Sequence, residues 1–347
     1  MRKLPSSHDV ARLAGVSRTT VSYVLNGRTN LPIPEETRTR VLEAAQSLGY
    51  RPNRLVVGMV KGKTRTLGVI VSRLDSPYFA HVVQGFQEVC DGQDYRVLLE
   101  HTQHDPAREL RQVNLLLEHR VDGLLWIADH WTVHQARGWI APLVKEGVSC
   151  VVTDDSGTAD LVDTVTTEDF VGAREAVRHL IALGHRRIAH LSAGERLSNS
   201  RARREGYEAA LRESGIPMDP ALIVSDAYDI QNPEGDAAAL FDSADPPTAV
   251  FTAHDDMALI MLQQLRRRGL RVPEDMSLIG YGDAEAAKYL DLTTVRQNPL
   301  EVGRQAARFL IARLEIPERP LQCIEIPTEL IVRATCGPPR SGHLDLN

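Results

Sequence analysis

The chain has only four cysteines, Cys90, Cys150, Cys323 and Cys336, and no two of them form a CxxC pair. Neither a disulfide framework nor a cysteine metal cage is expected, and the four read as reduced thiols of a cytoplasmic protein. No apolar run approaches the roughly 20 residues needed to span a bilayer. The start, MRKLPSSHDV, has no apolar segment after its two basic residues, so no secretory signal is expected. Catalytic signatures are missing as well: there is no nucleophile elbow, no HExxH and no GxGxxG. GMVKGKT, from Gly58, is one residue too short for a phosphate loop and precedes a strand where such a loop must follow one.

The charge is distributed unevenly. Residues 1–63 hold 11 Lys+Arg against 4 Asp+Glu, a net of +7, while the remainder nets −13 within the total of −6. A basic head on an acidic body fits a small nucleic-acid-binding module joined to something else. Within that head, HDVARLAGVSRTTVSYVLNG (His8–Gly27) reads as two short helices around a tight turn. Ser6 is placed to cap the first helix, with Asp9 three residues on. Val10, Ala11 and Ala14 share its inner face, and Gly15 supplies the turn. Ser17 caps a second helix from Arg18 to about Asn26, with Val21, Val24 and Leu25 inward. Arg18, Thr19, Thr20, Ser22, Tyr23 and Asn26 then face outward. Hydroxyls, an amide and a guanidinium on one exposed helix can read base edges and hold phosphates, the arrangement of a helix-turn-helix.

A third helix should begin at Pro34, bury Val41, Leu42, Ala45 and Leu48, and end at Gly49. Asn53 then caps a short apolar helix with Leu55, Val56, Val57 and Met59. Two turns of helix are marginal alone, so this segment should order only against a partner, where an apolar side chain could wedge into the minor groove. From Thr66 onward strands alternate with helices of 10–15 residues, the pattern of doubly wound parallel sheets. The number of units calls for two similar lobes with a ligand cleft between them. The boundaries expected are residues 1–52 for the head, 53–63 for the hinge helix and linker, 64–340 for the body and 341–347 for a tail. Within the body, one lobe should take about 64–160 plus 292–324 and the other about 161–291 plus 325–340.

An ordered set of motifs runs through nearly the whole chain: DVARLAGVSRTTVSYVLNG, ETRTRVLEAAQSLGYRPN, KTRTLGVIV, DSPYF, HLIALGHRRIAHL, PPTAVFTAHDDMAL, GLRVPEDMSLIGYGD, LTTVRQ and PTELIVR. With them the chain resembles the lactose/galactose repressor family of bacterial transcription regulators. The resemblance implies a homodimer whose recognition helices enter successive major grooves of a palindromic double-stranded operator, with hinge helices in the minor groove between. It also implies a periplasmic-binding-protein-like body that senses a small, carbohydrate-like effector, with no cofactor and no membrane partner. The DNA-facing set it implies is Ser6, Ser17, Arg18, Thr19, Thr20, Ser22, Tyr23 and Asn26 in the head, with Asn53, Val56 and Met59 in the hinge. Tyr23 stands where the family usually has arginine, and Met59 where it usually inserts leucine.

The effector set implied by position is Pro77, Tyr78, Asp154, Arg203, Tyr228, His254, Asp255 and Gln297. Most of these follow a strand end or open a helix, where polar groups converge on a cleft. Arg203 offers a donor fork, Asp154 and Asp255 accept from hydroxyls, and Tyr78, Tyr228 or Trp126 could stack on a ring. Asp255 could equally cap a helix, and Trp126 could equally be core. His254 replaces a frequent asparagine, and Gly282 replaces a frequent aspartate. The histidines of His101–His104 and His130–His134 read as surface residues rather than metal ligands. The expected function is a ligand-responsive transcription regulator, a repressor rather than an enzyme, cytoplasmic and on the nucleoid when DNA-bound.

Overall fold

Ser6 caps the first helix with the geometry its spacing predicts. Its Oγ accepts from Asp9 N at 3.4 Å, and the Asp9 carboxylate accepts from Ser6 N at 2.9 Å. This reciprocal box opens α1 (Ser7–Ala14), and Gly15, at φ 66°, closes it in the left-handed conformation. Thr20 N then donates to Ser17 Oγ over 3.1 Å at the start of α2 (Arg18–Leu25). The third helix, α3, spans Glu35–Leu48 and ends at Gly49, φ 62°. The computed structural model describes residues 5–25, 32–50, 63–103, 105–127, 133–153, 157–194, 198–224, 240–241 and 243–340.

Two details of α3 differ from expectation. Pro34 is the cap itself, one residue ahead of the first helical position. Leu42 is 53% exposed, and Ala44 joins Val41 and Ala45 in the core instead. Positions 41, 44, 45 and 48 follow the i, i+3, i+4, i+7 face, whereas 42 lies a full step of about 100° away from 41. Val10, Ala11, Ala14, Val21 and Val24 complete the small core.

Met1–Thr64 and Arg65–Asn347 are separate compact units. The second contains two six-stranded sheets. One has the order β11-β5-β4-β3-β1-β2, with β1 Thr66–Val71, β2 Arg96–His101, β3 Gly123–Ile127, β4 Ser149–Thr153, β5 Asp163–Thr167 and β11 Cys323–Ile326. The other has the order β12-β10-β9-β8-β6-β7, with β6 Ile188–Leu191, β7 Ile223–Val224, β8 Ala249–Thr252, β9 Ser277–Gly282, β10 Thr293–Arg296 and β12 Glu329–Ile331. All pairings are parallel except β10 with β12. Every residue of β3 is buried, as a parallel strand covered on both faces requires.

The helices Pro77–Gly92 and Pro299–Glu315 pack together over the first sheet. Glycine makes their approach possible: a Cβ on Gly303 would lie 1.9 Å from Val82 O, and one on Gly85 2.0 Å from Leu300 O. Among the described residues no helix is long and apolar enough to cross a membrane.

The lobe boundaries read from sequence misplace two strands. β5, assigned to the second lobe, lies in the first sheet, and β10, assigned to the first lobe, lies in the second. The chain therefore crosses between sheets after Thr167, after Arg296 and after Ile326. Local periodicity cannot reveal this, because a buried strand looks alike in either sheet. The short helix Glu285–Tyr289 was not expected. The sequence pattern also predicts a helix over 234–242, and that segment lies almost entirely outside the described residues.

Candidate functional site

In the head, the buried side of α2 is Val21 and Val24, and the opposite side presents Arg18, Thr19 and Ser22 to solvent. Thr20 and Tyr23 are half-buried at its edges. Ser6 and Ser17 are exposed, but their hydroxyls are engaged as caps: Ser6 Oγ with Asp9 Oδ2 at 2.6 Å, Ser17 Oγ with Thr20 Oγ1 at 2.9 Å. These two serines order the backbone that presents the helix. Asn26, Asn53, Val56 and Met59 lie outside the described residues.

In the body, a cavity partly open to solvent lies where the two sheets meet. Tyr78 and Phe79, at the start of the helix after β1, form one wall with Ile127, Thr153 and Val165. Asp169, Asn199 and Gln297 line it together with Thr166 and Thr167. The walls thus come from carboxyl ends of strands and from helix starts, where parallel α/β sheets place their ligands. Pro77 is exposed and is not among the lining residues. Asp154 and Tyr228 lie outside the described residues.

Arg203 is 1% exposed and has four of its five N–H donors engaged. Its Nε donates to Asp169 Oδ1 over 2.9 Å, and Nη2 lies 2.8 Å from the same oxygen. Nη1 donates to Ala253 O at 2.6 Å and meets His254 Nδ1 at 3.1 Å. The Tyr281 ring covers the guanidinium face at 3.8 Å. Burial opposes the charge, but the Asp169 carboxylate, together with Tyr281 and Tyr78, holds the Arg203 pKa above the usual value. His254 is pushed the other way: burial, reinforced by the Arg203 and Arg73 cations, holds its pKa well below that of free histidine. Neutral His254 accepts at Nδ1 from Arg203, which fixes its ring proton on Nε2.

Asp255, expected to face the ligand, is turned into the fold. Its Oδ2 accepts from Ala284 N at 2.7 Å and its Oδ1 from Thr294 Oγ1 at 2.6 Å. It braces β9, the loop after it and β10 against its own helix, and burial raises its pKa while those two bonds oppose the rise. Trp126 is core: it is fully buried, donates from Nε1 to Glu109 Oε1 at 2.5 Å and stacks on Trp139 at 6.0 Å. Among the described residues no three His, Cys, Asp or Glu side chains stand together as a metal site would need.

Phe79, Thr153, Thr167, Asp169 and Asn199 escaped the sequence reading. Asp169 and Asn199 each stand at a helix start, a position that already accounts for a polar residue. Both open a helix that follows a strand, so the rule that selected Tyr78 would have selected them too.

Comparison with known proteins agrees with both parts of the molecule. Residues 7–53 match the family described as bacterial regulatory proteins, lacI family. Residues 177–336 match a periplasmic binding protein-like domain. The chain is 34% identical over 330 residues to the HTH-type transcriptional repressor PurR of Haemophilus influenzae (strain PittEE), covering 94% of this chain and 96% of that protein. A lac repressor dimer bound to operator and the anti-inducer ONPF superposes with a TM-score of 0.83 at 27% identity, covering 96% of this chain and 99% of that one. The complex of the transcriptional regulator CelR with cellobiose gives a TM-score of 0.71 at 30% identity, covering 95% and 99%.

Proposed function

The chain belongs to the lacI family of bacterial regulatory proteins, and from that premise we propose that it is a repressor that binds a palindromic operator as a homodimer and is switched by a small carbohydrate-like molecule in the interlobe cavity. The observation that carries the reading is α2, packed on one side by Val21 and Val24 and offering Arg18, Thr19 and Ser22 on the other. A guanidinium and hydroxyls on a rigid helix suit base edges and phosphates in a major groove. In this proposal Asn26 also contacts the operator, and Asn53, Val56 and Met59 contact the minor groove between half-sites.

The cavity supports the second half of the reading. Tyr78 and Phe79 supply ring faces, and Asn199, Gln297, Thr153 and Thr167 supply neutral donors and acceptors. That mixture suits a hydroxylated ring. Asp154 and Tyr228 complete the site in this proposal. The cleft senses its ligand and does no chemistry on it, since Asp169 and Asp255 are each held by structural partners. The first sheet ends on β2, an edge strand that leaves Leu98 and Leu99 36% and 40% exposed. A second copy covers that edge in the dimer. The protein works in the cytoplasm, on the nucleoid when DNA-bound.

Deleting residues 1–60 tests the division of labour. The truncated protein should lose operator binding and keep the effector affinity of the full chain. Operator binding by the truncated protein would contradict the role given to the head.

A further inference from the structure

A guanidinium one side chain behind a ligand cleft, as Arg203 is behind the lining residue Asp169, ordinarily invites an anion, because it offers five N–H donors and a permanent charge. Arg203 does not. Its Nε and Nη2 are on Asp169 Oδ1, at 2.9 and 2.8 Å, and its Nη1 is on Ala253 O and His254 Nδ1, at 2.6 and 3.1 Å. At most one N–H, on Nη2, is left for a ligand. The charge is matched at contact distance, and both side chains are buried: 2% exposed for Arg203 and 6% for Asp169. In such a low-dielectric setting the pair presents nearly zero net charge to a third group.

The rest of the described cavity is also uncharged. Arg73, the other cation beside His254, is paired bidentately with Asp75 at 2.9 and 3.0 Å. Among the lining side chains Asn199, Gln297, Thr153 and Thr167 are neutral, and His254, beside Arg203, is held neutral by burial. Asp169 itself lines the cavity, so among the described residues an entering carboxylate or phosphate meets a carboxylate and no lining cation to balance it. Asp169 is held in this role from the other side as well: Thr167 Oγ1 donates to its Oδ2 over 2.8 Å.

We propose that Asp169 is the residue that sets the charge specificity of the cleft: by saturating the Arg203 guanidinium it makes the site one for uncharged ligands and closes it to carboxylates and phosphates. This rests on the reading of the cavity as the effector site. Removing the Asp169 charge while keeping its shape should leave the Arg203 cation uncompensated beside an otherwise neutral pocket, and anions should then bind.

Isothermal titration of the full chain with D-glucuronate and with inorganic phosphate, at constant ionic strength, tests this. Wild type should show no saturable binding of either anion at the cavity. Asp169→Asn should gain it, with an affinity higher by about tenfold or more, the size expected of a charge-assisted hydrogen bond. Asp169→Asn/Arg203→Gln should lose the gain, which separates Arg203 from the basic head as the anion's partner. Equal anion affinity in wild type and Asp169→Asn would overturn the proposal. Adding Asn199→Leu and Gln297→Leu, which fill the cavity, should also abolish the gain. A gain that survives the filled cavity but not Arg203→Gln would refute the cavity as the effector site, a failure distinct from the first.

A second measurement uses wild type alone. Thermal shifts with matched pairs, glucose and glucuronate, galactose and galacturonate, ribose and ribose 5-phosphate, should favour the neutral member wherever a pair acts. A larger shift from a charged member would overturn the proposal without any variant.

Discussion

Gln297 Nε2 donates to Thr167 Oγ1 over 3.2 Å, and that hydroxyl donates in turn to Asp169 Oδ2 over 2.8 Å. Thr167 ends β5 and Gln297 follows β10, so this chain of bonds ties the first crossover between the sheets to the second. Thr328 Oγ1, just after β11, donates to Glu168 O over 3.2 Å and ties in the third. The cavity is built on these crossovers, because Thr167, Asp169 and Gln297 all line it. A ligand that bonds to Gln297 or displaces Thr167 therefore acts directly on the segments that join the two sheets. A few kcal/mol of differential affinity between lobe arrangements is enough to shift the population of the DNA-binding state.

Thr167→Val keeps the shape and removes both bonds. We expect a loss of about 1–3 kcal/mol in unfolding free energy, the range for leaving buried polar partners unsatisfied. The effector concentration that switches operator binding should shift as well. Denaturant unfolding and effector titration of the same preparation check both, and a variant with unchanged stability and switching would remove Thr167 from the hinge.

Arg18→Ala should weaken operator binding by about 1–3 kcal/mol and relax sequence preference at one base pair of each half-site, as loss of a base-edge contact does. Binding to a panel of single-base operator variants reads this. An even loss across all sequences would instead assign Arg18 to a phosphate.

Met59→Gln should weaken specific binding far more than binding to random DNA, because the apolar wedge acts only where hinge segments pair over the operator centre. Competition against both DNAs measures the ratio. Equal losses would refute the wedge.

His190 gives the fold a pH dependence. It is fully buried between the Tyr207 and Phe251 rings, with centroids at 5.1 and 5.0 Å, and burial pushes its pKa down to about 4. The unfolded chain, with an ordinary histidine near 6.5, binds the proton more readily than the native one. The contribution of His190 to stability is thus complete above pH 6.5 and declines as pH falls toward 4. Between pH 7 and pH 5 the loss should be about 2 kcal/mol. His190→Leu should flatten the profile over that interval, as measured by unfolding at each pH. A profile as steep as wild type's would place the sensitivity in other histidines.

Local signals were legible in the sequence, and long-range ones were not. Ser6, Gly15, Ser17 and Gly49 carry their capping roles in their own chemistry and spacing, so the head could be read residue by residue. Strands such as Gly123–Ile127 and Ser149–Thr153 are short apolar runs between polar turns, a pattern that local sequence carries by itself. Which sheet β5 and β10 join depends on crossovers that leave no mark on local periodicity. The cleft was half legible for the same reason. Tyr78 and Gln297 follow strand ends and were found. Asp255 follows one too, but its orientation is set by Ala284 and Thr294, 29 and 39 residues away in the chain. Asp169 gave no signal of its pairing with Arg203, 34 residues on, because an aspartate at a helix start is already accounted for as a helix terminus.

The central claim is that one chain reads an operator with α2 and is switched by a small molecule in the body. A fluorescence-polarisation titration of the purified protein tests it most directly. The DNA would be palindromic sites from its own promoter region, at two salt concentrations, with and without a panel of sugars, nucleosides and small acids. The account predicts tight, site-selective binding that one uncharged compound shifts. Binding that is weak, strongly salt-dependent, indifferent to sequence and unmoved by every compound would contradict it, because the head would then be contacting phosphates without reading bases.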